Sequence, residues 1–443
     1  MSLATPVKIR DLQIKLYRKA KKEPEYRFYQ LYDKVYREDI LDHAYKLARA
    51  NDGAPGVDGK SFEDIERGGL KEWLEGLRKD LHEKTYQPQP VKRVLIPKPG
   101  GGERPLGIPT IRDRVAQTAA KLILDAIWEA DLESNAYAYR PGKSGQGAIR
   151  KVDELLHQGY TDIVDADLSK YFDTIPHSEL MQCVARRIVD RQMLHLIQMW
   201  LKVPVEERDE KGNKRLTGGK GTDRGTPQGG VISPSLANLY MNRMLKGWKQ
   251  TRRGEQYRAY IVNYADDFVI LSYQKAKESL EWTRGVVERL ELTLNETKTS
   301  IRNAGRERFD FLGYTFGPHY SLRTGREYIG YSPSNKSVNE VKKNVGDLLA
   351  PSNVKPWEEV SKRLNQTLVG WRTYFNRGST AKAYRAVDQH VYDRVRNFLR
   401  RRHKVSTRGT GQFPEERVFG ELGVVRLQGP IRAAGFVSLR RSQ

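Results

Sequence analysis

Residues Ile261 to Leu271 read Ile-Val-Asn-Tyr-Ala-Asp-Asp-Phe-Val-Ile-Leu, two apolar runs of β type pinched around a pair of adjacent aspartates. Side chains alternate faces along a strand, so Asp266 and Asp267 cannot both point one way from regular β structure. The runs leave no room for a long loop, and the expected form is a tight hairpin with the carboxylates at its tip. Paired carboxylates on a rigid turn suit Mg²⁺, which takes hard oxygen ligands and keeps positions open for water and phosphate. A solvated Asx-type turn is the alternative that the pair alone leaves open.

The rest of the composition narrows the partner. The chain has 443 residues, enough for two or three domains, and a formal net charge of +23. That excess is spread along the chain, which implies a polyanionic partner. Nucleic acid is favoured over a membrane because mean hydropathy is −0.70 and no apolar run is long enough to span a bilayer. The opening segment, Met1 to Lys22, is basic and polar with no apolar centre, so no secretory signal is expected. A single cysteine, Cys183, excludes an intramolecular disulfide and any Cys-pair zinc site, and the histidines show no metal-ligand spacing. A reducing, cytoplasmic setting is expected.

Along the chain, a basic helix or arm is expected to about residue 30, then helical spacing at Leu41, Ala44, Leu47 and Ala48, broken by Asn51-Asp52-Gly53. Val91 to Ile96 reads as a strand leading into Pro97-Lys98-Pro99-Gly100-Gly101-Gly102-Glu103-Arg104-Pro105, either a hairpin tip bearing basic side chains or an ordinary Gly-rich turn. Ala116 to Ala126 is helical in spacing, and Ile163 to Leu168 reads as a buried strand that places Asp165 and Asp167 on one face. Glu206 to Arg224 reads as an exposed hairpin or loop. From about Ser332 three apolar stripes follow: Val338, Val341, Val345, Leu348 and Leu349; Trp357, Val360, Leu364, Leu368, Trp371 and Phe375; Tyr384, Val387, Val391, Val395, Phe398 and Leu399. They predict a small helical bundle whose third helix turns Arg385, Arg394, Arg396, Arg400, Arg401 and Arg402 away from its stripe, toward phosphates or simply toward water.

Ordered blocks then add up to a resemblance. Gly53-Ala54-Pro55-Gly56-Val57-Asp58-Gly59, Ile96-Pro97-Lys98-Pro99, Arg104-Pro105-Leu106-Gly107-Ile108-Pro109, Tyr139-Arg140-Pro141, Asp165 to Asp173, Gly225-Thr226-Pro227-Gln228-Gly229-Gly230, Tyr264-Ala265-Asp266-Asp267, Phe311-Leu312-Gly313 and Leu368 to Phe375 occur in one order. In that order the chain resembles the bacterial-type group II intron-encoded reverse transcriptases, or maturases. The resemblance implies an α+β right-hand polymerase: extended fingers over 31–160, a palm with a mixed, largely antiparallel sheet over 161–330, and an α-helical thumb or maturase domain over 331–403. A basic N-terminal segment, 1–30, and a basic C-terminal tail, 404–443, flank these.

The same resemblance implies RNA-directed DNA synthesis with two Mg²⁺ ions, Mn²⁺ being a possible substitute. Asp167, Asp266 and Asp267 would be the catalytic carboxylates, with Leu168 beside them in the metal-holding set. Lys98, Arg104, Phe172, Gln228 and Lys298 would bind the nucleotide: Lys98 and Arg104 at its triphosphate, Phe172 as a gate against a ribose 2′-OH, Gln228 as a seat, and Lys298 either as acid for the departing pyrophosphate or as a plain surface lysine. Arg140, Gly313, Arg372, Arg394, Arg400, Arg401 and Arg402 would meet nucleic acid. The implied partners are group II intron RNA, an RNA template with a DNA or RNA primer, target DNA and dNTPs, with no membrane. Two departures stand out. Tyr137-Ala138-Tyr139-Arg140-Pro141 replaces a usual Gly-Phe-Arg-Pro, and the Cys-rich endonuclease module of mobile relatives has no counterpart in this sequence, so the protein is expected not to nick target DNA itself. A catalytically silent splicing factor, or a retron-, CRISPR- or defence-associated reverse transcriptase, is the competing expectation.

Overall fold

The computed structural model describes residues 3–97, 102–208, 213–321 and 324–429. Two compact units emerge, one from Met1–Lys151 with Asp162–Ile301, the other from Val152–Thr161 with Arg302–Gln443. Their strands are β1 (Val91–Pro97), β2 (Glu103–Ile108), β3 (Asp162–Asp167), β4 (Pro204–Arg208), β5 (Lys214–Gly218), β6 (Ala259–Tyr264), β7 (Asp267–Ser272), β8 (Ser300–Asn303), β9 (Phe309–Phe311), β10 (Tyr314–Tyr320) and β11 (Glu327–Pro333).

In the first unit the helix Ile111–Trp128 forms the centre of the core, and the helices Val7–Lys22 and Glu38–Asn51 pack against it. The N-terminal segment is therefore a docked helix: its basic residues face out while Ile9, Leu16 and Ala20 are buried. β1 pairs antiparallel with β2 and parallel with β4, and β4 pairs antiparallel with β5, giving a mixed sheet in the order β2-β1-β4-β5. The expected Glu206 to Arg224 hairpin is thus the edge of a sheet. Its Glu206 is buried with Lys214 and Arg208 at 3.4 and 3.7 Å.

The second sheet runs β6-β7-β3-β8, with β7 antiparallel to both neighbours β6 and β3. Every residue of β7 after Asp267 is buried, which is why Phe268 to Leu271 reads as an unbroken apolar run rather than an alternating one. The helix Ala276–Arg289 packs on β3 and β7, the strands that carry Asp167 and Asp267.

The second unit joins the antiparallel sheet β11-β10-β9 to the helices Asn335–Leu348, Trp357–Tyr374 and Ala381–Arg402. Val341, Val345, Val360, Leu364, Leu368, Val387, Val391 and Val395 form its core, following the three predicted stripes. Residues 404–429, expected as part of a tail, fold back onto this bundle and bury Phe413, Val418, Val424 and Leu427. The anchor is Asp388, a buried carboxylate that accepts from the Leu427 and Gln428 amides at 2.8 and 3.0 Å. A Gly-rich stretch shows no stripe to the eye, and an acid inside a helix gives no hint of what it will cap. Among the described residues no helix is long and apolar enough to cross a membrane.

Candidate active site

β3 and β7 lie in register, so Asp167 and Asp267 are Cα partners at the end of the ladder. β6 and β7 are joined by Ala265 and Asp266 alone, with Tyr264 opposite Asp267. Ala265 takes φ +57°, the left-handed value that a two-residue hairpin needs at its first loop position. Asp266 therefore sits in the turn and Asp267 opens the strand. That change of backbone direction is what alternation along one strand would have denied them.

The electrostatics follow from this crowding. Burial pushes the Asp266 carboxyl up, and the charge of Asp167 adds to the push while Arg104 and Lys298 oppose it. Asp267 is driven further, to about 6, by surrounding protein and then by the charges of Asp266, Asp167 and Asp165. Water reaching the exposed Asp267 side chain screens part of that field. Asp167 is held differently. Lys298 Nζ donates to its Oδ2 at 3.0 Å, Asn295 Nδ2 to the same oxygen at 3.2 Å, and the Asn295 amide to its main-chain oxygen at 2.8 Å.

Among the described residues no three His, Cys, Asp or Glu side chains converge on one point as a finished metal cage, consistent with Asp167 being turned to Lys298 and Asn295. The donor chemistry nevertheless fits a divalent cation: hard carboxylate oxygens from two chain segments, mutually repelling, whose repulsion a cation would relieve. The Leu168 side chain is a buried hydrocarbon with no donor atom, and only its main-chain carbonyl could join them.

Of the nucleotide residues, Arg104 is exposed near the start of β2, close enough for its charge to act on Asp266. Lys98 lies outside the described residues. Phe172, on the short helix Tyr171–Thr174, is half-buried and meets Tyr171 edge-on at 5.7 Å. Its carbonyl accepts from the Thr226 amide at 2.6 Å, and Gln228 Nε2 donates to Asp173 at 2.9 Å, fastening the Gly225–Gly230 turn to that helix. The same turn reaches the other sheet, where the Gly107 amide donates to the Gln228 carbonyl at 2.5 Å. Glycine is required at 229: φ is +105°, and a Cβ there would lie 2.0 Å from the Gly107 oxygen.

The residues expected to touch RNA divide. Arg140 is spent internally. Its side chain is only 5% exposed, it pairs with Glu129 at 2.7 Å, and it donates to the Glu133 and Ala136 carbonyls at 2.5 and 2.8 Å. A buried guanidinium satisfied in this way positions a loop and has no face left for a phosphate. Gly313 serves a tight turn at φ +79°, its carbonyl accepting from Ser334 N and Ser337 Oγ at 2.9 Å each. Arg372, Arg394, Arg400 and Arg402 donate to the carbonyls of Gly429, Gly346, Thr407 and Val354 at 2.7, 2.9, 3.2 and 2.7 Å, and Arg385, Arg401 and Arg402 are exposed.

Comparison with known families decides what this arrangement belongs to. Residues 96–316 match the model for reverse transcriptase (RNA-dependent DNA polymerase), and residues 338–412 match the group II intron maturase-specific domain. The chain belongs to the family of group II intron-encoded reverse transcriptases. It is 34% identical to protein YkfC of Escherichia coli over 368 residues, covering 75% of this chain and 94% of YkfC. It is 33% identical to the group II intron-encoded protein LtrA of Lactococcus lactis over 222 residues, 49% of this chain and 35% of LtrA, so it spans about a third of that relative. Among solved structures, telomerase from Candida albicans aligns over 79% of this chain and 67% of its own at 13% identity, with a TM-score of 0.43, too loose a likeness to add weight. Reverse transcriptases of this family use divalent metal ions, and the paired modules make RNA the partner class.

Two residues of the site escaped the sequence reading. Asn295 lies three residues before Lys298, and only its bond to Asp167 shows that it orients a carboxylate. Tyr139 stands near Asp266 and Asp267, whose charges, after burial, raise its hydroxyl above the usual range. The Tyr139-Arg140-Pro141 block marks the segment in sequence, but not the placement of its aromatic beside the carboxylates.

Proposed function

We propose that this reverse transcriptase copies RNA into DNA with two Mg²⁺ ions, or Mn²⁺ in their place, held by Asp167, Asp266 and Asp267 with the Leu168 carbonyl, and that its second unit binds group II intron RNA to assist splicing and retrotransposition. The observation that carries the reading is the pairing of Asp167 with Asp267 across β3 and β7, with Asp266 in the adjoining turn. When bound, such ions activate the attacking 3′ oxygen and stabilise the leaving pyrophosphate. Arg104 and Lys98 hold the triphosphate of the incoming dNTP. Gln228 keeps the Gly225–Gly230 turn against the Asp173 carboxylate, and the backbone of that turn seats the nucleotide. Lys298, on Asp167, supplies a proton-bearing cation beside the reacting phosphates. Asn295 keeps the Asp167 carboxylate oriented. Primer extension on an RNA template with and without Mg²⁺ tests the whole. A primer left unextended by folded protein would return it to the silent splicing factors.

Sugar selection should follow from Phe172. Shrinking it to alanine is expected to admit ribonucleotides while leaving templated deoxynucleotide addition measurable. An unchanged ratio of dNTP to rNTP incorporation would leave Phe172 a core residue, as its packing against Tyr171 also permits.

The raised Asp267 carboxyl sets a pH dependence. Its folded pKa, about 6, lies above the ordinary value of 3.8, so the folded state binds the proton more tightly. For this group stability rises as pH falls through 6 and the repulsion is felt above it. A cation relieves that repulsion only where the carboxyl is ionised. Added Mg²⁺ should therefore raise the melting temperature clearly at pH 7.5 and much less at pH 5, and its half-saturating concentration should climb as pH drops below 6. Equal Mg²⁺ shifts at both pH values would remove Asp267 from the ligand set.

A further inference from the structure

The segment from Asn135 to Arg140 supplies no metal ligand, yet the fold clamps it against the strand that leads to the acids. Ala136 bridges Asn263 in parallel. The Tyr137 amide donates to the Asn263 carbonyl at 2.9 Å and the Asn263 amide to the Asn135 carbonyl at 3.0 Å. Asn135 Nδ2 reaches the Ile261 carbonyl at 3.2 Å, Asn238 Nδ2 the Ala138 carbonyl at 2.6 Å, and Arg140 is pinned to Glu129. Between these clamps Tyr139 adopts φ +54°, a left-handed conformation that is an outlier for a bulky residue and persists only where the surroundings impose it.

Such strain in a core aromatic would be offset by burial. Tyr139 is not in the core: it is 50% exposed. Its ring lies 6.5 Å from that of Tyr264 at 39°, and Tyr264 immediately precedes the Ala265-Asp266 turn. An exposed ring backed by a half-buried one beside the carboxylates is a surface for a flat, π-bearing ligand. In a cleft that joins nucleotides, that ligand is a nucleobase, which stacks on aromatic side chains whatever its identity.

We propose that Tyr139, paired with Tyr264, is a substrate contact of the reaction centre that stacks against a nucleoside there, either the primer's 3′-terminal nucleoside or that of the incoming dNTP. The inference rests on the polymerase reading above. It explains why the clamps hold an aromatic in a conformation better suited to glycine, and why that aromatic faces solvent.

The test uses the full chain, an RNA template and a chain-terminated primer, so that binding is read without chemistry. 2-Aminopurine, whose fluorescence falls on stacking, is placed in one arm at the primer terminus and in the other in the incoming triphosphate. The wild type and Tyr139→Phe should quench the probe in one arm. Tyr139→Ala and Tyr139→Gly should lose that quench and bind the corresponding ligand about tenfold more weakly, the magnitude of one base stack. Tyr139→Gly also releases the backbone strain, so it should melt at or above the wild-type temperature, which separates ligand contact from folding. Quenching and affinity unchanged by Tyr139→Gly in both arms would overturn the proposal, as would loss of the quench in Tyr139→Phe. Failure of the wild type to extend an ordinary primer would instead sink the polymerase reading, because the stacking signal needs no turnover.

Discussion

Asp266→Ala should reduce primer extension by about a thousandfold or more while leaving the protein folded. The carboxylate sits in a two-residue turn whose geometry depends on Ala265 and on the β6–β7 ladder, neither of which the substitution touches. What disappears is one of the oxygens proposed to hold the metals, a loss of roughly 4 kcal/mol or more of transition-state stabilisation. The folded state itself gains, because Asp266 is the largest charged contributor to the raised Asp267 carboxyl. The variant should accordingly melt no lower than the wild type without metal. Near-normal extension by a folded Asp266→Ala protein would end the assignment of this turn as the metal site.

The second large effect concerns stability and arises far from any motif. Arg187 has a side chain 3% exposed, with Nε 2.9 Å from Asp131. Its terminal nitrogens donate to the carbonyls of Glu23 and Tyr26 at 3.0 Å each, and also to those of Ala20 and Pro24. The last turn of the helix Val7–Lys22 and the strand-like segment after it are thereby tied to the first unit's core. Removing the guanidinium strands a half-buried carboxylate and several carbonyls, a change expected to cost about 3 kcal/mol. Against a typical stability of about 5–15 kcal/mol this is a large fraction. Arg187→Ala should lower the denaturant midpoint of the first unit accordingly, and Arg187→Lys should rescue little, since one ammonium cannot match a planar fork. An unfolding free energy within about 0.5 kcal/mol of wild type would mean the N-terminal helix is held by its apolar face alone.

How much of this was visible in the chain depends on the range of the interaction that decides each feature. The two-residue turn at Ala265-Asp266 was fixed locally: strand alternation forbids both carboxylates from sharing a face, and only a bend satisfies the flanking apolar runs. The three helical stripes of the second unit were equally readable, because a 3.6-residue period is written in neighbouring residues. The family blocks carried the family and its polymerase activity, and the matches over 96–316 and 338–412 bear these two out.

What the sequence could not show are the partners of charged side chains across long separations. Arg140 looks in sequence like an RNA contact and is in the fold an internal strut on Glu129. Arg394 and Arg402 look like a phosphate-facing row and are in part bound to the carbonyls of Gly346 and Val354. Asp388, Arg187 and Asn295 carry no pattern at all, yet each organises a segment tens to more than a hundred residues away. Apolar burial is a property of periodicity and so is determined by the chain read locally. Satisfaction of a buried polar group needs a specific donor or acceptor within about 3 Å, and only the tertiary structure decides which distant residue stands there.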